Sequence, residues 1–292
     1  MALIRAFEER LLALFDQGEL FGTTHCYIGQ EADAVAVVNQ LRAGDIVFSN
    51  HRCHGHFLVY SDRPKLLLAE VMGRDTGLVG GRGGSQHICF ESFYSNGVQG
   101  GIVANAVGAA LAEKMSGRDS VTVVFLGDGT LGEGIVYESL NMASLWSAPV
   151  LFVVEDNRWA QSTPVEKELA GDMVARGRAF GISASEITST DAVELYAHFA
   201  ALVERVRETR RPHFEVIHTY RLCHHSKSDD QRPEDEVERH RAGDPLTVLA
   251  SRLEVARAKE IIGEAEQRID AALLWARAQP FPEPSELVDG AT

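Results

Sequence analysis

Leu3, Phe7, Leu11 and Leu14 recur at three- to four-residue spacing, so the chain opens with an amphipathic helix. The turn FGTTHCYIGQEA leads to a second helix expected over 31–41, and DIVFS reads as a short strand. PKLLLAEVMG, with Pro at its start and Gly at its end, predicts another helix. Residues 77–101 carry eight glycines and read as loop that must bring its backbone close to something. GIVANAVGAALAEKMSG returns to helical spacing. Two runs then show no alternation: SVTVVFLGDG and PVLFVVEDN are apolar throughout, as parallel strands buried on both faces are. A helix over 133–146 joins them at the spacing of a right-handed crossover, with Leu140 and Trp146 on its core stripe. Helices over 171–180 and 191–208 and the strand HFEVIHTY complete the pattern. The expectation is an α/β fold, a doubly wound and mostly parallel sheet with helices on both faces, forming a single domain over 1–292. After the polar loop RLCHHSKSDDQRPEDE, residues from about 235 to 292 read as its C-terminal helical extension, ending in a loose Pro-rich tail.

Charge narrows the partners. Acids outnumber bases 42 to 28, a formal charge of −14, which repels a phosphate backbone and argues against nucleic acid. Any phosphate must be held by a local site. The four cysteines show no CxxC spacing, and Glu8 and Glu9 interrupt any leader-like start. No apolar run approaches the ~18 residues of a membrane span. The expected location is cytoplasmic, with no membrane partner.

Chemistry concentrates at the ends of the two buried strands. Asp128 lies between Gly127 and Gly129 where the first strand ends, and Asn157 ends the second. Adjacent parallel strands bring those ends side by side, where α/β sheets bind ligands. A carboxylate, an amide oxygen and a nearby carbonyl suit a hard cation such as Mg2+, which takes its remaining ligands from phosphate. A helix N-terminus after Gly129 would add N–H groups for the same phosphates. The stretch SNHRCHGHF admits three readings: a phosphate grip, a metal cradle, or a polar loop without chemistry. Zinc on Cys53, His54 and His56 lacks a usual tetrahedral spacing. Arg52 is a charge-assisted phosphate donor. GGRGG is neither GxGxxG nor placed after a strand, so no dinucleotide fingerprint is found.

The segment from Asp128 to Asn157 resembles the thiamine diphosphate motif, and its context resembles the alpha subunit of the 2-oxo acid dehydrogenase first component, including the acetoin dehydrogenase branch. GTTHCYIGQEA, NHRCHGHF, GRGGSQH, SNGVQGG, ESLNMASLW and TYRLCHHSKSD occur in the family's order over roughly residues 5–280. The resemblance implies a diphosphate-type domain with thiamine diphosphate and Mg2+ as cofactors. Asp128, Asn157 and the Trp159 carbonyl would ligate the metal; Gly127, Gly129, Thr130, His51 and Arg52 would hold the diphosphate. Gly97 and Gln99 would touch the aminopyrimidine. His25, His225 and His54 would be the catalytic histidines, with His225 also near the cofactor. It also implies a beta subunit bearing the pyrimidine domain and a catalytic Glu, in a two-plus-two heterotetramer, and a lipoyl acyltransferase where lipoamide is the acceptor. The reaction would be decarboxylation of a 2-oxo acid with transfer of the acyl or acyloin fragment. Departures at His51, Gln99, Cys223 and His224 keep open a carboligating enzyme without lipoamide. Ser226 and Ser228 resemble phosphorylatable positions of mitochondrial relatives.

Overall fold

The computed structural model describes residues 1–226 and 230–283; Ser228 and the Pro-rich tail beyond 283 lie outside them. Helix α1 (Ala2–Asp16) turns Ile4, Phe7, Leu11 and Leu14 into the core. It is followed by α2 (Glu31–Val38), β1 (Ile46–Ser49), α3 (His54–Ser61) and α4 (Pro64–Val71). The strands β2 (Cys89–Phe90) and β3 (Phe93–Ser95) precede α5 (Gln99–Met115), β4 (Thr122–Gly127), α6 (Gly134–Leu145) and β5 (Val150–Asp156). A small hairpin, β6 (Trp159–Ala160) with β7 (Thr163–Pro164), leads to α7 (Met173–Ala179), β8 (Ser183–Thr188), α8 (Ala192–Thr209) and β9 (His213–His218). The C-terminal helices are α9 (Glu234–Arg241), α10 (Pro245–Ala250) and α11 (Val255–Arg277).

The main sheet has seven strands in the order β2-β3-β1-β4-β5-β9-β8, all parallel except the β2–β3 pair. Residues of β4 alternate between two cores: Val123 and Phe125 join one, Val124 and Leu126 the other. That double burial is why these strands are apolar at every position. One core packs α1, α2, α4, α8 and α11 on the sheet; α5, α6 and α7 cover the opposite face. Helix α11 closes the first layer by lying across α1 and α4.

Several expectations are corrected. The histidine-rich stretch is not all loop, because α3 starts at His54. Gly55 permits this: a Cβ there would stand 2.3 Å from the Tyr27 ring. The glycine-rich segment is not all loop, since it contains β2 and β3, but its backbone does make the expected close approach, to a carboxylate of this chain. Buried Glu70 accepts N–H bonds from Val79, Gly81, Gly83 and Gly84 at 2.7–3.2 Å. A Cβ on Gly83 would lie 1.9 Å from the His87 carbonyl oxygen. A three-residue-per-turn coil at Asp128–Gly132 intervenes before α6, so no α-helix N-terminus directly follows Gly129. Strand β8, Ser-Ala-Ser-Glu-Ile-Thr, escaped the pattern because it is a polar edge strand. Trp146 is 48% exposed and not part of the core.

Candidate functional site

The register of β4 on β5 pairs Gly127 with Glu155, which sets Asp128 level with Asp156 and Asn157 one step beyond. Asp128 is 2% exposed. Its Oδ1 accepts the Gly129 N–H at 2.9 Å, while Oδ2 has no partner. Burial, then the neighbouring Asp156 carboxylate, pushes its carboxyl up to about 7. A buried carboxylate oxygen with no hydrogen-bond partner, set beside a second acid, is a donor type that suits a hard divalent cation. Asn157 Oδ1 accepts the Trp159 N–H at 3.2 Å and keeps a second lone pair.

These residues form one side of a cavity of about 570 Å3 at the carboxyl edge of the sheet. Gly127, Gly129, Thr130 and Trp159 lie beside them, while His25, His51, Arg52, Gly97, Gln99 and His225 face them. Four sequence-distant segments therefore meet: the loop before α2, the one after β1, the one leading into α5, and the one after β9. His25 packs edge-on against His51 and His225, with ring centroids 4.5 and 4.6 Å apart. Burial, then the proximity of Arg52, brings His51 down to about 3; burial, then His51, lowers His25 further still. Both rings are thereby neutral. Nδ1 of His25 is unpartnered, and Gln99 stands by the His51 ring without a hydrogen bond of good geometry. Arg52 donates to the Cys26 carbonyl and, at 3.5 Å, to His225 Nδ1.

His54, expected among the catalytic histidines, does not line this cavity. Starting α3 turns it into the core, fully buried, with Nδ1 3.1 Å from Glu8 and Nε2 3.2 Å from the Ser85 carbonyl oxygen. Cys53 faces the Ser85 carbonyl oxygen and His56 is bonded to Ser49, Tyr27 and Glu155, so the three do not form a metal cradle. Instead they brace the wall. Glu155 accepts from Tyr27 and, at 3.4 Å, from Asn50, tying the end of β5 to the loops bearing His25 and His51. The cavity also exposes Gln86, Glu133, Lys167 and Glu168, for which sequence reading assigned no role. Gln86 sits within the quoted GRGGSQH. Lys167 and Glu168 are delivered by the β6–β7 hairpin, whose short strands carry no periodic signal. A separate cleft of about 400 Å3 between α1, α8, α10 and α11 is almost wholly aliphatic and offers no such chemistry.

A family model described as "Dehydrogenase E1 component" matches residues 1–285. The chain belongs to this dehydrogenase E1 component family. It is 36% identical to the pyruvate dehydrogenase E1 component subunit alpha of Rickettsia felis, over 98% of this chain and 92% of that one. The Rhizobium meliloti subunit of the same name is also 36% identical, with 98% and 86% covered. The alpha subunit of acetoin:2,6-dichlorophenolindophenol oxidoreductase from Bacillus subtilis is 33% identical, with 99% and 90% covered. Across that span the chain is an E1 alpha-type subunit of an oxidoreductase. Among its described residues no helix is long and apolar enough to cross a membrane.

Proposed function

We propose that this E1 chain is the alpha subunit of a thiamine diphosphate- and Mg2+-dependent enzyme that decarboxylates a 2-oxo acid and passes on the acyl or acyloin fragment. The observation that carries the reading is Asp128 Oδ2: buried, unpartnered, raised toward neutrality, and beside Asn157 in the shared cavity. The side-chain oxygens of Asp128 and Asn157, with the Trp159 carbonyl, would hold Mg2+. Arg52 and His51 would face the diphosphate, helped by the backbone at Gly127, Gly129 and Thr130. Gly97 and Gln99 would meet the aminopyrimidine. When bound, the cofactor supplies the nucleophilic carbon and the electron sink. His25 and His225, which line the same cavity, would stand at the substrate end as the proton donors or acceptors. His54 supports the fold rather than the reaction.

The site is completed, in this reading, by a beta subunit that brings the pyrimidine domain and catalytic Glu, in a two-plus-two heterotetramer. Exposed Ile135, Met142 and Leu145 lie on α6, Trp146 follows its last residue, and Val98 lies between the cavity-lining residues Gly97 and Gln99. They give a partner an apolar surface. A lipoyl acyltransferase would take the acyl group where lipoamide is the acceptor. The whole chain acts here as one diphosphate-type domain. Calorimetry with thiamine diphosphate and Mg2+ is the test: the wild type binds, and Asp128→Ala loses at least ~30-fold in affinity, about 2 kcal/mol. Equal binding by the two proteins refutes the assignment.

A further inference from the structure

Three histidines that line the cavity also form a cluster of their own. One ligand atom from each of His25, His51 and His225 lies within 4.8 Å of the other two, among the described residues. The ring centroids are 4.5, 4.6 and 5.4 Å apart. Rings that share one zinc ion stand about 5 Å apart, given Zn–N bonds of about 2.0–2.1 Å. Such bonds set ligand nitrogens about 3.4 Å from one another, so side-chain rotations of about an ångström close the site. His25 is 7% exposed and its Nδ1 lacks a hydrogen bond, as do both nitrogens of His51. Three nitrogen ligands and no carboxylate are the set that selects zinc-class ions over magnesium. We propose that His25, His51 and His225 bind one zinc-class transition-metal ion, at a site separate from Asp128 and Asn157.

Three protein ligands leave a fourth position open. Arg52 reaches to 3.5 Å from His225 Nδ1, so its positive charge opposes the ion. The open position therefore favours an anion, either hydroxide or a small carboxylate, that lies between the metal and the guanidinium. Because His51 is also the residue assigned above to the diphosphate, zinc and cofactor compete; that consequence, unlike the site itself, rests on the proposed function.

Cobalt(II) is the probe, since a tetrahedral imidazole site gives it visible absorption bands. Titrating the purified full chain with Co2+ should saturate those bands at one equivalent, and Zn2+ should bleach them. Even a group behind a metal ligand is worth about 10–100-fold in affinity, so losing a ligand should weaken binding by at least about 100-fold. His51→Tyr, which keeps an aromatic ring, and His225→Asn, which alters a loop, should both show this loss, while Asp128→Ala should not. Absence of bands at one equivalent in the wild type overturns the site. So does unchanged binding in whichever of the two histidine variants is folded. If the bands appear but thiamine diphosphate leaves them undiminished, the site stands and the assignment of His51 to the diphosphate falls.

Discussion

Within His51-Arg52-Cys53-His54-Gly55-His56, two halves of one short stretch meet opposite conditions. His51 and Arg52 leave β1 as loop and face the cavity; His54 and His56 enter α3 and are sealed beneath it. Every ring nitrogen of the buried pair has a partner, from Glu8 and Ser85 or from Ser49, Tyr27 and Glu155. Those of His51 have none of good geometry, and Asp128 Oδ2 across the cavity is equally bare. Satisfied polar groups specify the fold, whereas unsatisfied ones converging on a void mark where something else binds.

Truncating the satisfied half should hurt stability most. Glu155→Ala strands Tyr27, His56 and Asn50 without their acceptor and should cost about 3–5 kcal/mol in denaturant unfolding. A loss under about 1 kcal/mol would show that the brace is not structural. His54→Ala removes one ring from that layer and its edge contact with Phe7, so about 2 kcal/mol is expected, with cofactor affinity within threefold of wild type. A large fall in affinity with stability intact would return His54 to the cavity wall.

On the unsatisfied half the sign reverses. Without ligands, Asp128→Asn should stabilise the chain by about 1 kcal/mol at neutral pH, because it removes a buried charge without a partner. The carboxyl is raised in the folded state, to about 7 from an ordinary value near 3.8. The folded chain therefore binds the extra proton, and the wild type loses stability as pH rises from about 4 to 7. The gap between variant and wild type should widen over that window in thermal melts, and a constant gap would contradict the burial account. The smallest effect is chemical. Burial raises the Cys53 thiol to about 12, so at pH 8 alkylation should label exposed Cys89 and spare Cys53 by peptide mass mapping.

Much of this was readable in advance, because the central strands are buried on both faces and their pattern has one interpretation. The positions of Asp128 and Asn157 follow from where those strands end. Edge elements were harder. β8 is polar since one side of it meets no further strand, and β2–β3 hide among glycines that sequence reading counted as loop. His54 illustrates a different limit: a helix start rotates a residue by about 100° per position, so neighbours in sequence need not share a wall. Glu133 and Lys167 reach the cavity through turns whose direction no periodicity encodes.

The carboxylate of Glu70, ringed by the amides of residues 79, 81, 83 and 84, fixes the length of the segment it threads. Adding or deleting one residue there would move an N–H off its oxygen and set a bulky neighbour where only a hydrogen fits. Gln86, two residues past that collar, then lands in the cavity because the count is fixed. Homologous chains should therefore vary in loop size almost anywhere on the surface sooner than between these positions.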